Sequence, residues 1–138
     1  MANTLAAQMT KLDAGTTPDP GFVDGTVRVF AETITFASQA SGDTIEIGRL
    51  PKGAVVLYGV LTTGTSTGTA TVSIGISGTA AKYKAATVHT STDAPAVFGK
   101  AAALHSGLTA EETVIATVGT AALPSSGTMQ VALVYAFN

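Results

Sequence analysis

The sequence contains no cysteine and no tryptophan. Without thiols there is no disulfide framework and no thiolate metal centre. Charge is scarce as well: Asp, Glu, Lys and Arg make up 12% of the chain, with seven basic residues against nine acidic ones, a net charge of −2 and a pI near 5.5. The basic residues (Lys11, Arg28, Arg49, Lys52, Lys82, Lys84, Lys100) are scattered, whereas a surface that tracks phosphates needs them in a stripe. A nucleic-acid partner is therefore excluded. No apolar run approaches the ~20 residues of a spanning helix, so a membrane is excluded on the same grounds. The first twenty residues, MANTLAAQMTKLDAGTTPDP, lack the basic start and long apolar core of a signal peptide, and synthesis in a cytoplasm is expected.

What is present is small and β-prone. A chain of 138 residues is the size of one domain, and 46% of it is apolar although only 6% is aromatic, with Ala, Val and Thr supplying the bulk. That mixture suits a sheet protein with a small-polar exterior. So few surface charges protect poorly against association, which fits a subunit that works docked on something. The most informative stretch is Gly53 to Thr79, which carries no charge. In its second half Ala70, Val72, Ile74 and Ile76 alternate with Thr71, Ser73, Gly75 and Ser77, the period of a strand with one wet face. In its first half Val55, Leu57 and Leu61 alternate with Val56, Tyr58 and Val60, so both faces are apolar. With the small residues from Thr62 to Gly68 between them, the two halves are expected to form a hairpin.

The rest of the chain is read in order. Residues 1–25 form an N-terminal arm, distinct from a β-sandwich domain over 26–138. In the arm Leu5, Met9 and Leu12 share one helical face, and Gly15 to Gly21 (GTTPDPG) stops the run. The arm is read either as ordering against a neighbouring subunit, burying Leu5, Met9, Leu12 and Phe22, or as folding back on its own domain. From Thr26 to Ala37, Val27 and Val29 lie on one face and Phe30, Ile34 and Phe36 on the other, a switch that suggests a bulge near Ala31 or a strand passing between sheets. Thr44 to Gly48 is a short strand. Ala80 to Ala86 reads as an edge strand guarded by Lys82 and Lys84. Thr87 to Gly107 reads as a long contact loop with a short helical turn, anchored by Val97, Phe98 and Leu104. Thr109 to Glu112 matches a capping box, but Thr113 to Thr120 alternates as a strand and overrides it. Thr128 to Phe137 is the closing strand. Seven or eight such strands imply an all-β, antiparallel sandwich, jelly-roll-like.

Each candidate for chemistry has a simpler explanation. His89 and His105, the only histidines, lie in loops with no nucleophile-elbow sequence to support a triad. Asp19 and Asp24 could hold calcium, but two carboxylates fall short of a hard-cation loop and suit turn capping better. Glu111 and Glu112 are adjacent, so on a strand they face apart. The glycines around Gly64 to Gly78 lack the Lys-Ser/Thr of a phosphate loop. No catalytic residue, cofactor or metal is assigned.

The runs Ile45 to Gly53 (IEIGRLPKG), Val55 to Leu61 (VVLYGVL), Gly68 to Ile76 (GTATVSIGI) and Lys82-Tyr83-Lys84 are similar to small head-associated proteins of tailed bacteriophages. They resemble the capsid decoration, or cement, family: small β-sandwich subunits, often trimeric, that sit on the outer face of the icosahedral shell and staple neighbouring major capsid subunits. The resemblance covers most of the chain from about Thr26 onward and carries no catalytic residues. It implies a homotrimer on the outside of the virion with the phage major capsid protein as partner. The contact residues expected are Leu5, Met9, Leu12 and Phe22 of the arm, then Phe98 and Leu104 of the long loop. Rival readings are a glycan-binding head fibre or spike, for which aromatic platforms are few, and a self-assembling tail or shell subunit.

Overall fold

The computed structural model describes residues 7–17 and 25–137. Leu5, Phe22, Asp19, Asp24 and the side chain of Leu12 lie outside the described residues. The fold is a sandwich of two four-stranded antiparallel sheets. The strands are β1 (Thr26–Thr35), β2 (Thr44–Leu50), β3 (Val55–Thr63), β4 (Thr71–Ile76), β5 (Thr79–Val88), β6 (Ala96–Phe98), β7 (Glu112–Gly119) and β8 (Thr128–Phe137). One sheet has the order β1-β8-β3-β6 and the other β2-β7-β4-β5. Each strand thus pairs with the one whose number completes nine, as when a long hairpin is rolled over on itself, the jelly-roll-like arrangement.

Alternation dictates which residues fill the space between the sheets. Ile34, Phe36, Leu61, Met129, Val131 and Leu133 of the first sheet and its margins meet Ile47, Leu50, Val72, Ile74, Val114 and Val118 of the second, all buried. Each such side chain taken from water stabilises the fold by roughly 1.5–3 kcal/mol. Met129 and Leu133 follow the closing strand's expected inward face, with Tyr135 and Phe137 packed at its margin.

The expected hairpin between β3 and β4 is not formed. β3 lies in the first sheet and β4 in the second, so the connection is an arch over the core. Two strands with apolar faces can bury them by packing face to face as well as by lying side by side, and the polar residues of the arch favour the former. Thr67, buried, accepts a hydrogen bond from the His89 main-chain N–H at 2.9 Å and donates its own N–H to the His89 carbonyl at 3.0 Å. The Thr63 hydroxyl donates to the Thr65 carbonyl, and Gly64 donates to the Thr128 carbonyl at 3.0 Å. These bonds satisfy backbone groups that a crossing loop would otherwise strand. Among the described residues, the one tight hairpin between consecutive strands joins β4 to β5 at Ser77 and Gly78, where Gly78 has φ +84°.

Two further expectations change. β1 carries no bulge, since its register with β8 is continuous over ten residues. The switch of apolar face arises because Val27 and Val29 are exposed on the outer face, 60% and 55% accessible, while Phe30 and Ile34 turn inward. The wet face of β4 is not wet: Ser73 and Gly75 are buried along with Val72 and Ile74. The long loop does contain one helical turn, closed by Ala103 and Leu104 N–H groups on the Lys100 carbonyl, and also a three-residue strand, β6, that sequence alternation was too short to show.

In the arm, α1 (Ala7–Asp13) is a seven-residue helix. It ends where Gly15 takes φ +76° and the Thr16 N–H reaches back to the Lys11 carbonyl at 2.9 Å, a Schellman cap.

Candidate docking surface

The register of the first sheet lays its outer side chains in rows. Val27 stands opposite Ala136, and Ala136 opposite Val55; Val29, Val134 and Tyr58 form the next row; Ala31, Ala132, Val60 and Val97 the third. Val27, Val29, Tyr58 and Val97 are all exposed, Val97 by 73%. Ala136, Val55 and Val134 in these rows are buried, so the face exposes apolar side chains at Val27 and Val29 on β1, Tyr58 on β3 and Val97 on β6, with no charged residue in the rows. The apolar rows end at a polar row of Thr33, Gln130 and Thr62 that lines a shallow trough together with Ala31, Val60 and Ala132. Exposed apolar side chains gathered on one sheet face are candidates for an interaction site.

The loop residues expected to make contacts have a different posture. Phe98 is partly buried and packed against the core, its ring filling the space above Gly59, with which it is paired. Leu104 is also packed inward, against Gly99. Val97, next to Phe98 on β6, is the side chain this segment presents outward. Met9, the one of the four expected N-terminal contact residues whose side chain is described, is half exposed.

The opposite sheet carries polar networks that hold structure. β5 is the outer strand of its sheet, as expected of the Lys82/Lys84 segment, yet the lysines do not form a charged exterior. Lys82 is ion-paired with Glu112, and Tyr83 between the lysines is fully buried. Lys84 folds inward where the register between β4 and β5 shifts, and its Nζ donates to the Val72 carbonyl at 3.2 Å, the Ala85 carbonyl at 3.1 Å and Thr87 Oγ1 at 2.6 Å. Burial lowers its pKa. Thr87 Oγ1 also lies 3.4 Å from Nε2 of His89, whose pKa burial, helped by the charge of Lys84, pushes down to about 4. Sequence reasoning missed this Lys84–Thr87–His89 network because no pattern announces a lysine that caps carbonyls. His105 is exposed, with φ +57°. Among the described residues no three His, Cys, Asp or Glu side chains gather in a way that could hold a metal ion.

No protein-family model matches the chain, and no curated protein matches it. Solved structures do. Over 100% of both chains it is similar to a chain in the capsid asymmetric unit of cyanophage Pam1, with a TM-score of 0.74 and 25% identity. A chain in the acidic stable capsid structure of Helicobacter pylori bacteriophage KHP30 matches 83% of this chain over 90% of its own, with a TM-score of 0.64 and 18% identity. A chain in the capsid of Ralstonia phage GP4 matches 88% of this chain over 89% of its own, with a TM-score of 0.64 and 24% identity. This sandwich is thus shared with chains of three phage capsid structures, which supports a phage structural role.

Proposed function

We propose that the protein decorates and stabilises the outer surface of a tailed-phage icosahedral capsid by bridging major capsid subunits. The observation that carries this reading is the match, over 100% of both chains, with a chain of the Pam1 capsid asymmetric unit. A role of this kind works by binding free energy alone. It needs a rigid sandwich, few exposed charges and an apolar docking face, and repeated weak contacts summed over a homotrimer give avidity far beyond one contact. In this reading the arm (Leu5, Met9, Leu12, Phe22) and the outer face of the first sheet grip the shell. Phe98 and Leu104 set the shape of the loop that carries Val97.

The test is co-sedimentation of the purified protein with undecorated phage heads. Saturable binding, lost when Leu5, Met9 and Leu12 are replaced with Asp while the melting temperature holds, is the expected outcome. Protein that stays in the supernatant at all ratios overturns the proposal.

A further inference from the structure

The sandwich has four outer strands: β1 and β6 in one sheet, β2 and β5 in the other. Open strand edges invite pairing with another chain and are ordinarily blunted. Three of the four are. β6 is three residues long, β2 breaks register between Glu46 and Gly48, and β5 shifts register twice against β4. Among the described residues β1 is neither short nor broken in register, and its charges are one of each sign. It runs ten residues in unbroken register with β8, contains no Lys or Pro, and eight of its ten residues are exposed.

Its backbone polarity is also legible. The Phe36 N–H, one step beyond β1 in the same register, donates to the Gly127 carbonyl at 2.8 Å, and the Thr33 N–H donates to the Glu32 carboxylate at 3.2 Å, so by the antiparallel alternation residues 27, 29, 31 and 33 direct their N–H and C=O groups to the open edge. The charges of β1 are Arg28 and Glu32, placed symmetrically two residues either side of Phe30 and on the same face as it. Among the described residues neither has an ion-pair partner; Arg28 lies over the Phe137 ring at 5.1 Å.

We propose that β1 is the pairing edge for a second copy of this chain, antiparallel to itself, with the twofold axis passing between the two Phe30 residues. In that register Val27 pairs with Thr33 of the partner subunit and Val29 with Ala31 of the partner subunit. These are the residues whose backbone groups face outward, and they close roughly eight ladder hydrogen bonds. Arg28 then stands opposite Glu32 of the partner subunit, and Glu32 opposite Arg28 of the partner subunit, at non-hydrogen-bonded positions where side chains approach most closely. Slipping the register by two residues in either direction keeps the ladder but breaks both charge matches, so the charges select this one. The contact is isologous, closes on itself, and joins two first sheets into one eight-stranded sheet with a doubled outer face. A trimer built through another surface would become a hexamer through it, so the native mass is expected to be an even multiple of the chain. The inference does not rest on the decoration reading, because it concerns the free protein.

The experiment is native mass by light scattering and sedimentation equilibrium on the wild type, Arg28→Glu, Glu32→Arg and their equimolar mixture. Each variant places like charges opposite each other at both ends of its own pairing, so its self-association weakens by about tenfold or more. Mixed together they restore both matches, and the mixture regains wild-type association. Both residues are surface charges, and unchanged thermal unfolding of each variant verifies the fold. A wild-type mass that is monomeric or an odd multiple, variants that associate as the wild type does, or a mixture that fails to recover would each overturn the proposal.

Discussion

The Tyr83 hydroxyl donates a 2.6 Å hydrogen bond to Oε2 of Glu112, reaching from β5 past β4 to the start of β7. Tyr83 is wholly buried, and the other carboxylate oxygen of Glu112 is taken by Lys82, which also sits 5.4 Å above the Tyr83 ring. Burial, then the hydrogen bond and charge of Glu112, push the Tyr83 hydroxyl pKa well up, so at neutral pH it is a donor. A buried phenol with no partner would destabilise the core, and Glu112 supplies that partner.

Tyr83→Phe is accordingly expected to cost about 1–2 kcal/mol, the worth of a hydrogen bond to a charged acceptor in a partly buried site. Urea unfolding of the variant reads it directly. A midpoint unchanged from the wild type would show that the hydroxyl contributes nothing there.

Stability should fall in mild acid because of His89. Its ring titrates near 6.5 when unfolded and near 4 when folded, so the unfolded chain takes up the proton first as pH drops. This contribution is fully present above pH 6.5, declines between 6.5 and 4, and is gone below. With the ring only partly buried, the decline attributable to it is about 2 kcal/mol. Comparing unfolding midpoints at pH 7.5 and 4.5 for the wild type and His89→Gln isolates it: the variant should show a shallower loss, and equal slopes would refute the assignment.

Gly75 has no room for a side chain. A Cβ there would lie 2.6 Å from the main-chain carbon and oxygen of Ala80, and backbone atoms of the β4–β5 hairpin have nowhere to turn. Gly75→Ala is expected to destabilise by about 1–3 kcal/mol through overpacking. Gly78→Ala, three residues on in the same hairpin, with nothing within 4 Å but φ +84°, should cost only about 1 kcal/mol. Thermal melts of the pair that ranked them the other way would contradict the packing described.

One change should stabilise. Among the described residues the buried Thr117 hydroxyl has no hydrogen-bond partner, so Thr117→Val keeps the shape and removes an unsatisfied polar atom. A gain of about 0.5–1 kcal/mol is expected. A loss on chemical denaturation would mean that the hydroxyl has a partner in solution.

Much of this fold is legible in the order of residues. The strands from Thr44, Val55, Thr71, Thr113 and Thr128 announce themselves by alternation, because a strand half in a core must place apolar side chains at every second position whatever its neighbours are. Turn residues such as Gly42, Gly53 and Gly78 mark the reversals, each at positive φ. The docking surface is less legible. Val27 and Val29 read as one apolar face of a strand, and the sequence has no way to say that this face looks outward.

What the sequence determined by itself is the all-β class, the strand positions and the scarcity of charge that suits a docked subunit, since these depend on local periodicity and composition. Tertiary structure alone decided that β3 and β4 lie in opposite sheets, that Lys84 turns in to cap carbonyls, and that, among the described residues, β1 is a long edge in unbroken register. Period two states which side of a strand is apolar but not which strand lies beside it. Neighbours, edges and buried partners are set by contacts between residues far apart in the chain.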